Sequence, residues 1–213
     1  MLFRSGRDSR EATFIAKLKA AAPGSEIKNL DPIVNAMRAV KSPREIAIIR
    51  EATKITGDAI IAAMKATRPG MFEYELQASA EYVFKKGGAL GASYFALIAT
   101  GPNTYYTHYN ANTSKLMDGD LVQFDYAPDF KYYQSDVTRV WSANGRFTPR
   151  QKEMYEIYLA LYQAVLTSIE IHKTPADCVK NALVKMDAIM ASYKFTDARI
   201  KAAATKMVEG YRT

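Results

Sequence analysis

Two aspartates stand inside runs of aromatic and β-branched residues that otherwise read as buried strand: Asp125 in Leu121-Val122-Gln123-Phe124-Asp125-Tyr126-Ala127, and Asp136 in the run from Tyr132 to Trp141. A turn centred between Phe130 and Lys131 makes a hairpin of these runs. Asp125 then faces Asp136, Gln123 faces Thr138 and Ala127 faces Gln134. Strand side chains alternate, so these six share one polar face, while Val122, Phe124, Val137, Arg139 and Trp141 lie mostly on the other. Directly opposed Cβ atoms stand roughly 4.5–5.5 Å apart, and two ionised carboxylates at that distance raise each other's pKa unless a cation lies between them. Three outcomes are open: a proton-sharing dyad, a solvated pair, or a metal site, where hard carboxylate oxygens suit Mn²⁺, Co²⁺ or Zn²⁺. His108, in the polar-aromatic run Tyr105-Tyr106-Thr107-His108-Tyr109-Asn110, is either structural or a proton donor that polarises a substrate carbonyl.

The elements that must hold these groups are punctuated by caps and turns. Ser42-Pro43-Arg44-Glu45, Thr148-Pro149-Arg150-Gln151 and Thr174-Pro175-Ala176-Asp177 each combine a capping hydroxyl, a proline at the first helical position and an acceptor three residues after the cap. The first opens a helix whose apolar stripe includes Ile55, Ala59, Ile60 and Ala63 and which ends at Arg68-Pro69-Gly70. A second helix is expected from Glu73 to Lys86, stopped by Gly87-Gly88. The third runs from Pro149 with Ile157, Leu161, Val165 and Ile169 on its stripe, and the fourth from Pro175 with Leu183, Met186 and Met190. Strands are expected over Ser93–Ala99, Leu121–Ala127 and Tyr132–Trp141, bounded by turn signals at Gly101-Pro102-Asn103, Asp118-Gly119-Asp120 and Asn144-Gly145. In residues 1–40, Glu11–Ala21 reads as a short helix and Ser25–Leu30 as a strand. His172 reads as a structural group at a helix end, beside Lys173.

The chain has 213 residues, 48% of them hydrophobic and 24% charged, as in ordinary globular domains. No window approaches the 18 apolar residues of a membrane span, and the start lacks an export signal, so a cytoplasmic setting is the expectation. Its single cysteine, Cys178, excludes an internal disulfide and a cysteine-rich zinc site. The net charge of +7 sits at the two ends: residues 1–50 carry 10 Lys/Arg against 5 Asp/Glu, and residues 194–213 carry 5 against 2. That distribution gives no basic stripe, so no nucleic-acid partner and no membrane partner is expected.

These stretches resemble the catalytic domain of the creatinase/aminopeptidase P metallohydrolases, the pita-bread family, and among them Xaa-Pro aminopeptidases. The resemblance is carried by Val40-Lys41-Ser42-Pro43-Arg44-Glu45-Ile46, Ala99-Thr100-Gly101-Pro102-Asn103 with His108-Tyr109, Asp118 to Asp125, Ser135-Asp136-Val137-Thr138-Arg139, and Asn144 to Gln151, in order over about residues 38–193. It implies an α+β fold, helices packed on an antiparallel β-sheet, present here incompletely. Residues 1–40 would be the tail of a preceding domain or a linker, and 41–213 the amino-terminal part of the catalytic domain. It implies that Asp125 and Asp136 are metal ligands and that His108 is a catalytic group outside the metal shell. A full-length parent would hold two divalent metal ions, manganese with cobalt or zinc as alternatives, and act as a homodimer on peptides with an amino-terminal Xaa-Pro.

The departures from the family pattern are equally specific. The family's ligand histidine, in Gly-His-x-x-Gly, and its two ligand glutamates have no counterpart after Tyr193, so two of five ligands are in this chain. The expectation is a fragment cut at both ends, inactive by itself, of a metal-dependent aminopeptidase. The alternatives are a non-catalytic pita-bread binding module and another hydrolase of the family, such as a prolidase or creatinase.

Overall fold

The computed structural model describes residues 9–212. Residues 1–8 of the expected amino-terminal tail, and residue 213, lie outside the described residues. The chain forms two compact units, Met1–Ile46 and Ala47–Thr213. In the first, α1 (Arg10–Ala21) is capped by the Ser9 hydroxyl, which accepts from Ala12 N at 3.1 Å. Residues 25–30 are not a strand, and α2 (Asp31–Ala39) follows, with Asn29 Oδ1 accepting from Asp31 N at 2.8 Å. The asparagine closes a turn that starts a helix, a local alternative that outweighs the strand pattern of Ser25–Leu30.

The cap motifs act as their spacing requires. At the start of α3 (Pro43–Ala66), Ser42 N donates to Glu45 Oε2 at 2.6 Å and Glu45 N to Ser42 Oγ at 3.3 Å. The same reciprocal pair joins Thr148 to Gln151 at the start of α5 (Pro149–Leu166) and Thr174 to Asp177 at the start of α6 (Pro175–Ser192). Ala52, Ile55, Thr56, Ala59, Ile60 and Ala63 form the buried stripe of α3. α4 (Glu73–Lys86) adds to the same core Leu76, Ala80 and Phe84, which recur every fourth residue on its buried face. Gly88, at φ +82°, ends it in a conformation that suits glycine.

Among the described residues, six short strands follow in the order β1 (Gly91–Ala92), β2 (Leu97–Thr100), β3 (Leu121–Asp125), β4 (Pro128–Phe130), β5 (Tyr133–Gln134) and β6 (Thr138–Ser142). They make two antiparallel sheets, β1-β4-β5 and β2-β3-β6. The expected strand over Ser93–Ala99 begins only at Leu97, residues 93–96 being a link between β1 and β2. The expected arm Leu121–Ala127 is strand only to Asp125, and the arm Tyr132–Trp141 is divided between β5 of one sheet and β6 of the other. Val122 and Phe124 of β3 are buried while Leu121, Gln123 and Asp125 are only half-buried, the alternation of a one-sided sheet. The buried face joins Ile55, Leu76, Phe84, Ile98, Leu116 and Trp141 in one core.

A second core is wholly helical. Ile157 and Leu161 of α5, Met186 of α6, and Ile200, Ala204 and Val208 of α7 (Ala198–Gly210) meet there. The last helix lacks the cap-and-proline pattern of α3, α5 and α6, although Asp197 caps it and Ile200, Ala204 and Val208 repeat every fourth residue. His172 does not stand at a helix end: α5 stops at Leu166, and His172 lies exposed in the following loop at φ +67°. Lys185 Nζ instead donates to the Thr167 carbonyl at the end of α5, at 2.8 Å.

Candidate active site

The aspartate pair is real as a neighbourhood and wrong as a register. Asp125, the last residue of β3, stands opposite Thr138, and Gln123 stands opposite Val140. The offset from the expected pairing is two residues, because the two-residue turn consists of Lys131 and Tyr132, with Phe130 opposite Tyr133. Both turn residues have positive φ, +54° and +67°, the backbone of a primed hairpin turn that usually advertises itself by Asn-Gly. Asp129 Oδ1 supports it by accepting from Tyr132 N at 2.8 Å. Asp136 is exposed in the link 135–137 before β6, and its neighbour Ser135 meets the buried Thr56 hydroxyl of α3.

Tyr94 binds one of the two carboxylates. Its hydroxyl donates to Asp125 Oδ1 at 2.7 Å. Burial, this hydrogen bond, and the charges of Asp125 and Asp136 all raise the phenol well above its ordinary pKa. Both aspartates thus act on one hydroxyl, although they do not face each other across the ladder. Tyr94 was hidden within a run that reads as strand; a tyrosine beside a strand carboxylate is only a weak sequence signal.

His108 enters from the segment between β2 and β3. A 3-10 turn, Gly101–Tyr105, leaves β2, and Gly101 takes φ +50° where a Cβ would lie 3.0 Å from Asp120 Oδ1. His108 is exposed at φ +55°. It lines a cleft of about 250 Å³ together with Tyr105, Tyr106, Leu97, Gln123 and Asp125. The structure therefore brings His108 and Asp125 to one cleft. Asp136 is not among the residues that line it.

The segment is fastened by side chains that act as backbone. Asn112, buried at φ +50°, accepts from Ile98 N at 3.1 Å and donates to Ala96 O at 2.9 Å. Glu73, the first residue of α4 and fully buried, accepts from Thr100, Asn103, Tyr109 and Ser114. The sequence marks Glu73 only as an acidic residue at a helix start, where the helix dipole favours it.

The oxygen donors of Asp125 and Asp136 suit a hard divalent cation, which takes more ligands than two carboxylates supply. Among the described residues no group of three or more His, Cys, Asp or Glu side chains is placed to hold a metal ion. In donor chemistry alone, the two carboxylates match part of what such an ion takes. No helix among the described residues is long and apolar enough to cross a membrane.

Helices over antiparallel strands, with a loop histidine and a strand-end aspartate sharing one cleft, define an incomplete α+β domain of the pita-bread class. The profile of metallopeptidase family M24 matches residues 47–199, and the chain belongs to that family. The Xaa-Pro aminopeptidase of Escherichia coli K12 is 38% identical over 161 residues, covering 76% of this chain and 36% of the relative. An Xaa-Pro dipeptidase of Pyrococcus horikoshii is 35% identical over 155 residues, 73% of this chain and 44% of that protein. The structure of proline aminopeptidase P II from Yersinia pestis superposes with a TM-score of 0.76 at 29% identity, over 92% of this chain and 47% of that one. Zinc-substituted E. coli aminopeptidase P, solved with product, aligns at a TM-score of 0.65 and 33% identity over 83% of this chain and 41% of that one. The chain thus spans about a third to a half of the length of these relatives.

Proposed function

We propose that this chain is part of a metal-dependent aminopeptidase that hydrolyses the bond between an amino-terminal residue and a following proline. The observation that carries the reading is the cleft in which His108 and Asp125 meet, in a member of this family, with Asp136 acting on the same tyrosine as Asp125. Asp125 and Asp136 would hold two divalent ions jointly with ligands from outside the described residues, manganese being the expected metal and cobalt or zinc the alternatives. When bound, such ions supply a nucleophilic water at neutral pH and polarise the scissile carbonyl.

The chain's own residues do the rest. Tyr94 donates to Oδ1 of Asp125 and fixes the carboxylate plane. An imidazole N–H of His108 donates to the carbonyl oxygen of the bond under attack, where negative charge grows. Tyr105 and Tyr106 at the cleft give the peptide apolar surface to lie against.

A dipeptidase is the second reading, favoured by the Xaa-Pro dipeptidases among the relatives. The experiment is turnover by the full-length parent, with added Mn²⁺, of an Xaa-Pro-Yaa tripeptide and of the Xaa-Pro dipeptide. Cleavage of the tripeptide that is lost in Asp136→Asn and in His108→Ala supports the aminopeptidase. Cleavage of the dipeptide alone selects the second reading, and unchanged turnover in Asp136→Asn sinks the metal assignment.

A further inference from the structure

Glu73 is a fully buried carboxylate, and all of its side-chain partners come from the segment that carries His108. Oε1 accepts from Thr100 N at 2.9 Å, Thr100 Oγ1 at 2.8 Å and Asn103 Nδ2 at 3.1 Å. Oε2 accepts from Tyr109 Oη at 2.8 Å and Ser114 N at 3.0 Å. The Glu73 backbone N–H donates to Ser114 O at 3.0 Å, which closes the arrangement on the same segment. Every partner of the carboxylate is a donor, so only a group that accepts at both oxygens satisfies them all.

The position of these partners matters more than their number. Thr100 ends β2, Ser114 stands where the segment returns toward β3, and Tyr109 follows His108 directly. His108 itself holds a left-handed backbone, which costs about 1 kcal/mol or more in a non-glycine residue and persists only when its surroundings impose it. The Tyr109 hydroxyl on Glu73 and the Tyr109 N–H on Tyr106 O, at 3.2 Å, bracket that strained residue.

We infer that Glu73 is a positioning residue: through Tyr109, Thr100 and Ser114 it sets the height and backbone conformation at which His108 meets the cleft. Its value to catalysis rests on the reading of His108 given above; its effect on the placement of His108 does not. Amide replacement separates the two oxygens. In Glu73→Gln one position still accepts, from Thr100 and Asn103, while the other carries hydrogens that confront the Ser114 N–H.

The test uses the 213-residue chain with His172→Gln, which leaves His108 as the sole histidine. Tyr109→Phe removes one hydroxyl and should leave the fold intact. In it the imidazole cross-peak of His108 is expected to shift and broaden in the carbon-edited NMR spectrum. In Glu73→Gln the Ser114 amide is expected to exchange at least about tenfold faster, the effect of losing one buried hydrogen bond. The Phe124 amide in the central strand β3 should keep its rate. An unshifted His108 signal in Tyr109→Phe overturns the inference, as does faster exchange in Glu73→Gln spread evenly over Ser114 and Phe124. Full turnover in His108→Ala of the parent would instead refute the catalytic reading and leave the positioning result standing.

Discussion

The half of the second unit built from α3, α4 and the two sheets treats its polar groups and its apolar faces differently from the half built from α5, α6 and α7. In the first, Glu73 collects its donors from residues 27 to 41 positions away, and the aromatic rings of Phe84, Phe124, Tyr126 and Trp141 close the core. In the second, the carboxylate of Glu153 is held by Thr196 and by Asp197 N, all at the entry to α7. An apolar groove of about 210 Å³ remains open there, lined by Met154, Ile157, Tyr158, Leu161, Ile200 and Met207. Ile169 and Ile171 are 65% and 86% exposed in the loop that follows α5. Both carboxylates reach donors far away in sequence, 27 to 41 positions for Glu73 and 43 to 44 for Glu153. What goes with the cleft is anchoring at four separate residues along one segment, because a chemical group must be held from several directions. The helical half is fastened mainly at its helix ends.

This contrast can be broken most directly at the cleft. Asp136→Asn in the full-length parent is expected to lower kcat by about a thousandfold, while Thr148→Ala, at a helix start in the other half, leaves kcat unchanged; steady-state turnover of an Xaa-Pro-Yaa peptide checks both. Packing gives the next largest effect. Phe84→Ala should cost about 3–5 kcal/mol, whereas Met207→Ala, on the open groove, should cost about 1 kcal/mol or less, by urea denaturation. Thr148→Ala removes one reciprocal cap and should destabilise by about 1 kcal/mol in the same assay.

The smallest effect is a pH dependence that centres on Asp197 in the helical half. The Arg199 side chain and backbone N–H hold the Asp197 carboxyl down to about 2, from its ordinary 3.8. A carboxyl depressed in the folded state stabilises above its unfolded pKa and loses that contribution as pH falls through the folded value. The melting temperature should therefore drop between pH about 4 and about 2. Circular dichroism should show a smaller drop in Asp197→Asn; an identical acid limb in the two proteins would count against Asp197 as the group responsible.

Much of the local architecture was legible in the residues. The bounds of α4 follow from the acidic start and Gly87-Gly88, and the three cap motifs each start a helix, since their partners lie three residues apart and no distant contact is needed. The placement of Asp125 and Asp136 in neighbouring, alternating segments was equally legible. Residues 25–30 were misread because the Asx turn at Asn29 is a local hydrogen bond that an apolar pattern does not report. Helix α7 was missed because, although Ile200, Ala204 and Val208 recur every fourth residue, it lacks the proline-bearing cap that marks the starts of α3, α5 and α6.

What the sequence by itself determined is which residues are polar within the strand runs, which helices start where, and which side chains share a face. A two-residue offset preserves the shared face of Gln123, Asp125 and Thr138, since strand alternation has period two, while Ala127, Gln134 and Asp136 fall outside the β3–β6 ladder. Only the tertiary structure decided that Thr138 rather than Asp136 stands opposite Asp125, because a Lys131-Tyr132 turn with both φ positive is stabilised by the paired strands and the Asp129 side chain and not by a turn-forming dipeptide. It also decided that Tyr94 binds Asp125 and that Glu73 holds the His108 segment. Those contacts join residues some 30 positions apart, and their energies exist only once the core has brought the segments together.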